Sequence, residues 1–172
     1  VTRINDLITD FLDFAKPSAP VRSTQAARPL VEDILGFCKP ELESHHIDAH
    51  IYDQAPGATL YADARQLKQA FLNLIINAID AMPEGGQLSV GIDQKDDYTV
   101  ISIADSGEGI APDMIERIFT PFVTTKASGT GLGLAKVFSI MDSHDARIEC
   151  VSDKGAGATF NLYIPSHGGD EA

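Results

Sequence analysis

The residues of this chain whose types and spacing could do chemistry lie in two glycine-rich turns. The stretch Asp105–Ala135 opens with an acidic residue and two glycines directly after the strand-like run TVISIA, and it closes with three glycines directly before the helix-like run LAKVFSIMD. Because glycine has no Cβ, backbone N–H groups in such turns approach a ligand closely. A glycine-rich turn that leads into a helix also presents unpaired N–H groups and the positive end of the helix dipole, which suit phosphate. The segment between the turns has no clear period, so the pattern predicts a nucleotide site with a lid over residues 112–130.

Two asparagines interrupt the run QAFLNLIINAIDAM, a predicted helix that is apolar almost all round and is therefore expected to be buried. Asn73 and Asn77 are four residues apart and share one face, with Gln69 one turn earlier. A buried amide needs hydrogen-bond partners. The pair therefore either ligates a bound group or bonds neighbouring loops within the core, and the nearby glycine turns favour the ligand role.

The predicted lid and its entrance contain further candidate residues. Asp105 ends a strand, where a carboxylate accepts from an exocyclic amino group, while Gly109 leaves room for a flat ring. Asp-Ser-Gly is also an ordinary turn sequence. Phe119 and Phe122 are predicted to hold the base of the lid by apolar burial. Lys126 is the natural charge to reach a phosphate, although a single lysine is more often solvated.

Composition narrows the function classes. The 172 residues suffice for one compact domain with a short appendage, and 44% hydrophobic and 22% charged residues are typical of a globular protein. The net charge of −12 argues against nucleic acid as a partner. Positive potential at a phosphate site must then be local, from helix N-termini, one or two basic side chains and a bound cation.

The remaining chemical residues predict no second site. Cys38 and Cys150 are expected to be buried free thiols of a reducing compartment. The five histidines show no metal-ligand spacing and are expected at the surface or at helix ends. No signal peptide or apolar run of roughly 20 residues is visible. Because the chain opens in mid-pattern without Met, we expect it to be a piece of a longer protein.

Apolar periodicity and turn residues predict an α+β protein, a two-layer α/β sandwich with helices on one face of a mixed sheet. Residues 17–20 are predicted to be a linker, and the tail 166–172 is expected to be loose. Helices are predicted over Val1–Lys16, Ala27–Ser44, Asp63–Met82 and Leu132–Ser143, with Pro40 expected to kink or end the second. Strands are predicted over Val21–Ala26, Ile47–Tyr52, Thr59–Tyr61, Gln87–Ile92, Tyr98–Ala104, Ala146–Val151 and Ala158–Ile164, with the second and third paired around the turn Gln54–Ala58.

Four short motifs in a fixed order carry a family resemblance. NLIINA, DSGEGI, FTPF and GTGLGLA resemble the N box, first glycine box, F box and second glycine box of histidine-kinase catalytic domains, and GAGATF resembles a further glycine box. Such domains belong to the gyrase, heat-shock-chaperone and mismatch-repair ATPase superfamily and share the Bergerat fold. The resemblance implies an ATP-binding catalytic domain over residues 21–165, with a mostly antiparallel sheet covered by three helices. LITDFLDFAKP resembles the end of a dimerisation helix, which implies that residues 1–16 belong to the phosphoacceptor domain.

The resemblance also implies a role for each matching residue. It implies that Asn77 ligates the Mg²⁺ that bridges the ATP phosphates and that Asn73 lines the same phosphate pocket. Asp105 is implied to take the adenine amino group, and Thr159 to lie near the adenine through water. Lys126 is implied to approach the γ-phosphate, so Asn73 and Lys126 are the implied catalytic residues. The other implied nucleotide contacts are Gly107, Gly109, Ile110, Phe122, Gly129, Thr130, Gly131, Leu132 and Gly133.

One position departs from a pattern common in that family. Many members carry a basic residue three positions after the Mg²⁺ asparagine, and this chain has Asp80 there. The segment NAIDAMPEGG and the short lid with TTK instead resemble the nitrogen-regulation and dicarboxylate-sensing subgroup. The source of positive charge at the phosphates is therefore open between Lys126 and Arg117.

By this resemblance the chain is the ATP-holding half of a sensor kinase, which passes the γ-phosphate of MgATP to a histidine on an upstream helix for relay to a response-regulator receiver domain. The full-length protein is implied to be a homodimer whose catalytic part is cytoplasmic, with a membrane anchor elsewhere left open. Two alternatives remain. An ATP-hydrolysing machine of the same fold carries a general-base Glu where this chain has Asn73. A degenerate binding module without chemistry is disfavoured by the intact motifs.

Overall fold

The structure, a computed structural model, describes residues 18–124 and 129–168. The predicted helix over Val1–Lys16 lies outside the described residues. In chain order the elements are β1 (Ser23–Ala26), α1 (Ala27–Ser44), β2 (Ile47–Asp53), β3 (Thr59–Ala62), α2 (Ala64–Ala81), β4 (Gly86–Lys95), β5 (Tyr98–Asp105), α3 (Pro112–Ile115), α4 (Gly133–Ser143), β6 (Arg147–Ser152) and β7 (Ala158–Pro165). Among the described residues, no helix combines the length and the apolar character that a bilayer span requires.

A five-stranded sheet in the order β2-β4-β5-β7-β6 forms one layer of the molecule. β2 runs parallel to β4, and the other three pairs are antiparallel. Because side chains alternate between the two faces of a strand, each strand directs one apolar row inward. This inner row packs in one continuous core with the buried faces of α1, α2 and α4. The predicted two-layer α/β sandwich, with three helices on one face of a mixed and mostly antiparallel sheet, is confirmed.

The predicted pairing of the second and third strands is wrong, although both strands exist. β2 pairs in parallel with β4, from Ile47 opposite Gly86 to Asp53 opposite Ile92. β3 pairs instead with β1 in a separate two-stranded sheet. The seven residues of β2 find a full-length partner in β4, whereas β3 has only four residues to offer. Backbone N–H and C=O groups must be paired. Pairing β2 with β4 therefore satisfies more of these groups than pairing β2 with β3, which is nearer in the sequence but shorter.

Two local expectations are corrected in part: Pro40 does not end its helix, and the first residue of the predicted loose tail is buried. Helix α1 does not end at Pro40 but continues to Ser44, and Leu42 after the proline is buried in the core. This burial holds the last turn in place despite the missing N–H. At the C-terminus, Ser166 is buried rather than loose. Its N–H donates to the carbonyl of Asp97 at 2.9 Å, and its own carbonyl accepts from Thr59 Oγ1 at 2.9 Å.

The start of α2 and the end of α4 are joined by a buried histidine. Asp63 caps α2, and its Oδ1 accepts from the N–H groups of Arg65 and Gln66. The N–H of Asp63 donates to Nε2 of His144 at 3.0 Å, and Nδ1 of His144 donates to the carbonyl of Ile140 at 2.7 Å. His144 is fully buried, and this burial lowers the pKa of its imidazole. His144 thus lies at a helix end, as predicted, but as a neutral buried link.

This link sets the relative direction of the two helices. His144, at the end of α4, meets Asp63 at the start of α2, while Gly133 at the start of α4 lies beside Asn73 in the middle of α2. A Cβ placed on Gly133 would stand 3.8 Å from Asn73 Oδ1. The two helices therefore run antiparallel, with successive turns of α4 level with successively earlier turns of α2.

Candidate nucleotide site

A cavity of about 540 Å³ opens between α2, α4, the ends of β5 and β7, and the described part of the lid. It collects residues from four separate stretches of the sequence. Ten of the predicted site residues line it together: Asn73, Asn77, Asp105, Gly109, Ile110, Gly129, Thr130, Gly131, Leu132 and Gly133.

One end of the cavity is built around the carboxylate of Asp105. Its Oδ1 accepts from the N–H of Gly107 at 2.9 Å and from the N–H of Ala158 at 3.4 Å. Within the described part of the chain both hydrogen bonds to this side chain end on Oδ1, which leaves Oδ2 as the acceptor for a ligand. Burial raises the pKa of the Asp105 carboxyl, while the two backbone donors oppose that rise.

Two glycines let the surrounding backbone close on this end. Gly109 has φ +70, and a Cβ there would lie 2.1 Å from the carbonyl oxygen of Asp153. At Gly107 a Cβ would lie 2.5 Å from the carbonyl oxygen of Ala81. Gly107 does not line the cavity itself. It lets the first glycine turn pack against the end of α2, where the N–H of Glu108 donates to the same carbonyl of Ala81 at 3.2 Å.

The other end lies where α4 begins. Gly129, Gly131 and Gly133 all line the cavity here, Gly133 lies beside Asn73, and the N–H of Leu132 donates to Thr130 Oγ1 at 3.3 Å. Asn73 and Asn77 both face the cavity from one side of α2, as their spacing predicts. This end offers backbone donors, a helix N-terminus and amide oxygens, which together suit phosphate and a hard cation.

Helix α2 sets the distance between the two ends. Ala81 contacts the first glycine turn and Asn73 lies beside the second. They are eight residues apart in the sequence, which is about 12 Å at a rise of about 1.5 Å per residue. That separation is comparable with the distance from the base to the terminal phosphates of an extended nucleoside triphosphate.

Comparison with known proteins decides what kind of cavity this is. Residues 62–168 match the family described as histidine kinase-, DNA gyrase B-, and HSP90-like ATPase. This span includes both glycine turns, α2 and every described residue that lines the cavity. The chain belongs to this ATPase family.

Several proteins that are similar to this chain are histidine kinases. The chain is 36% identical over 164 residues to the sensor histidine kinase ZraS of Salmonella typhimurium, an alignment that covers 95% of this chain and 35% of that kinase. The catalytic domain of histidine kinase ThkA superposes with a TM-score of 0.78 and 28% identity, over 84% of this chain and 95% of that one. Full-length ShkA, solved in complex with AMPPNP, superposes with a TM-score of 0.85 and 26% identity, over 96% of this chain and 37% of ShkA. The chain thus spans about a third of the length of the curated relative and of full-length ShkA.

Two predicted contacts of the ATPase site are not where the sequence placed them. Thr159 is opposite Ala104 in the sheet and points to the outer face, because inward and outward positions alternate along β7. Its neighbours Ala158 and Phe160 line the cavity instead. Phe122 is 62% exposed, has φ +66 and does not line the cavity.

The base of the lid is held by Phe119 and not by Phe122. The ring of Phe119 lies 5.8 Å from that of Phe138 and 6.4 Å from that of Phe160, between centroids. Lys126 lies outside the described residues. Arg117, the second candidate for the phosphate charge, is exposed and does not line the cavity.

Sequence reasoning missed several residues that the ATPase fold brings to the cavity. A signal for Ala158 was present, since Phe160 is a core residue and the residue two before it must share its face. Lys136 follows Gly133 by three residues and so shares its face of α4. For Lys154, in the turn between β6 and β7, the sequence holds no such signal. Gln69 also lines the cavity, on the face that the sequence assigned to it with Asn73 and Asn77. The further lining residues are Ile76, Asp80, Ala81, Glu108, Ala111, Met114, Ile118, Val123, Thr124 and Leu134.

Both cysteines are free, as predicted, but Cys150 is half-buried rather than buried. Cys38 is buried, and burial raises the pKa of its thiol. Burial and then the nearby charge of Asp105 raise the pKa of the Cys150 thiol to about 11. Both thiols therefore stay protonated at neutral pH and are poor nucleophiles.

Proposed function

We propose that this chain is the ATP-binding catalytic domain of a sensor histidine kinase. The observation that carries the proposal is a single cavity that has the Asp105 carboxylate at one end and the Asn73, Asn77 and Gly133 cluster at the other. The similarity to sensor histidine kinases over 95% of the chain supports it. Within this proposal the chain donates the γ-phosphate of MgATP to a histidine on an upstream dimerisation helix.

Asp105 selects the base. Its Oδ2 is an acceptor when ionised, so it pairs with the amino group of adenine. Guanine presents a carbonyl oxygen at the corresponding position, which would face the carboxylate acceptor-to-acceptor. Ile110 and Ala158 line the cavity and supply apolar surface for the ring.

The phosphates and Mg²⁺ belong at the other end. The residues fit such a group, since Mg²⁺ prefers oxygen ligands, and Asn73 and Asn77, whose amide oxygens can supply them, line the cavity. We assign Asn77 as the Mg²⁺ ligand and Asn73 as its neighbour in the phosphate pocket. When bound, the ion neutralises charge on the phosphate oxygens. The N–H groups between Gly129 and Gly133 bind those oxygens directly.

Catalysis by this domain consists of holding the γ-phosphate in line for an incoming nucleophile. Phosphoryl transfer is mostly positioning and charge stabilisation. Position 73 holds an amide, which is not a general base. Hydrolysis is therefore expected to be slow, and transfer waits for a histidine that another domain presents.

The remaining parts of the proposal concern the whole protein. Its own dimerisation domain would present the phosphoacceptor histidine, in a homodimer, and a receiver domain of a response regulator would take the phosphoryl group. The catalytic domain would work in the cytoplasm, where ATP is supplied. A structure of ThkA in complex with the response regulator protein TrrA has a TM-score of 0.84 to this chain, at 24% identity, and supports the fold alone.

Calorimetry and radiolabelling test the proposal in sequence. The chain should bind MgATP, bind MgGTP much more weakly, and lose affinity for ATP when EDTA removes Mg²⁺. With γ-labelled ATP it should neither label itself nor release phosphate at a useful rate. Addition of the separate dimerisation domain should transfer label to that domain's histidine, weakly because the two parts must meet in solution. Rapid phosphate release would favour the hydrolase alternative, and ATP binding without any transfer would favour the binding module.

A further inference from the structure

The cavity poses an electrostatic problem. The chain carries a net charge of −12, and the acidic residues Asp80, Asp105 and Glu108 line the cavity itself. A triphosphate needs local positive charge beside its Mg²⁺. Among the cavity-lining residues that the structure describes, the basic ones are Lys136 and Lys154.

Lys154 lies at the Asp105 end of the cavity, where the adenine base is proposed to bind. It lies in the turn between β6 and β7, where the N–H of Gly155 donates to the carbonyl of Glu108 at 2.6 Å. The carbonyl of Asp153, one residue before Lys154, lies against Gly109. The turn that carries Lys154 is therefore packed on the first glycine turn, away from the start of α4.

Lys136 belongs to the opposite end. It follows Gly133 by three residues on α4, and Gly133 lies beside Asn73. Since α4 and α2 run antiparallel, from Gly133 beside Asn73 to His144 beside Asp63, Lys136 is level with the turn of α2 that precedes Asn73. Gln69 of that turn lines the same cavity. Lys136 therefore lies beyond Asn73 in the direction that leads away from Asp105.

The direction of the side chain agrees with this placement. In a helix each Cα–Cβ bond tilts toward the N-terminus, so the stem of Lys136 leads back toward Gly133 and the second glycine turn. Lys136 as a whole is half-buried. A lysine ammonium on such a stem acts as a point charge with several rotatable donors, which suits a phosphate whose position varies.

We propose that Lys136 binds the terminal phosphate of MgATP and makes this site prefer a triphosphate to a diphosphate. The inference rests on the proposed function. The residues of α2 that line the cavity are Gln69, Asn73, Ile76, Asn77, Asp80 and Ala81, and none is basic. Among the described residues, the positive charge available at the terminal phosphate is therefore on the facing helix α4.

Two matched lysine variants test the proposal, because both lysines line the cavity and differ in the end they occupy. Affinities of MgATP, MgADP and adenosine are measured by calorimetry for the wild type, Lys136→Met, Lys136→Arg and Lys154→Met. For Lys136→Met we expect about a 10- to 150-fold loss of MgATP affinity, the range of a hydrogen bond to a charged group, with a smaller loss for MgADP and none for adenosine. Lys136→Arg should keep most of the affinity. Lys154→Met should show no loss that is selective for MgATP.

Equal losses for MgATP and MgADP in Lys136→Met would overturn the proposal, as would a selective loss in Lys154→Met. If the wild type binds no MgATP, the proposed function itself fails, which is a different result. A second measurement needs no variant. Brief lysine acylation of the wild type, read by mass spectrometry, should show protection of Lys136 by MgATP that exceeds protection by MgADP, and equal protection would contradict the assignment even if Lys136→Met did not fold.

Discussion

The substitution Asp105→Asn is the sharpest test of the proposed adenine-binding end of the site. The N–H of Gly107 donates to Oδ1 at 2.9 Å, and an asparagine carbonyl can keep that bond and hold the turn. The amide nitrogen then replaces Oδ2, so a donor faces the adenine amino group where an acceptor stood. The fold should survive, because burial raises the pKa of Asp105 and so disfavours its ionised form, whereas asparagine carries no charge to bury.

The expected loss follows from the bond that is removed. A hydrogen bond to a charged group contributes about 1.5–3 kcal/mol, which corresponds to roughly a 10- to 150-fold loss of ATP affinity. Affinity for GTP should fall less or rise, since the new donor meets the guanine carbonyl. Calorimetry at constant Mg²⁺ measures both nucleotides, and thermal unfolding of the free variant should show a melting temperature at or above that of the wild type.

The pH dependence gives the same test a second readout. Ligand binding requires the ionised carboxylate, whose pKa lies above its ordinary value near 4. Adenosine affinity of the wild type should therefore be complete at neutral pH and decline as pH falls through that raised pKa, while Asp105→Asn should lack this decline. Asp93→Asn, at an exposed position of β4, is the matched control and should change nothing. Unchanged ATP affinity in Asp105→Asn would refute the assignment of Asp105 to the adenine amino group.

Three further predictions concern the rest of the site and its support. Asn77→Ala should abolish Mg²⁺-dependent ATP binding while calorimetry still detects adenosine, and normal MgATP binding would show that Asn77 is only a core amide. Gly131→Ala should lower the melting temperature, because φ is +69 and a Cβ would lie 2.6 Å from the carbonyl carbon of Phe122, whereas Gly133→Ala should melt no lower but bind MgATP more weakly. His144→Leu should destabilise the fold by about 1–3 kcal/mol, since it leaves the N–H of Asp63 buried without an acceptor. Burial lowers the pKa of His144, so below about pH 6.5 the unfolded state binds more protons than the folded state. As the pH is lowered through this range, the free energy of unfolding of the wild type should therefore decrease more steeply than that of His144→Leu.

Local rules in the sequence were enough to find most of the site. Asn73 and Asn77 share a face because four residues make about one turn of helix, whatever the rest of the fold does. The two glycine turns are likewise local, since each depends on backbone conformations that glycine permits at Gly109 and Gly131. The alternation of apolar residues predicted the strands and the two-layer sandwich for the same reason.

Pairing between distant segments was decided by the tertiary structure alone. β2 takes β4 as its partner across α2, although a turn and another strand directly follow it, because a longer ladder satisfies more backbone groups. Nothing in the local sequence of either strand states this preference. The position of Thr159 differs from the expectation by one residue: its neighbour Ala158 lines the cavity and Thr159 does not. In a strand a shift of one residue exchanges the inner and outer faces.

The basic residues considered for the site also divide into those that sequence motifs indicated and those that packing alone brings to the cavity. The sequence displays 13 Lys and Arg residues, and inspection of its motifs favoured Lys126 and Arg117. Lys136 and Lys154 reach the cavity only because α4 packs antiparallel to α2 and because the turn between β6 and β7 closes on Gly109. Motifs determine what one segment offers a ligand, and packing determines which side chains from other segments stand around it.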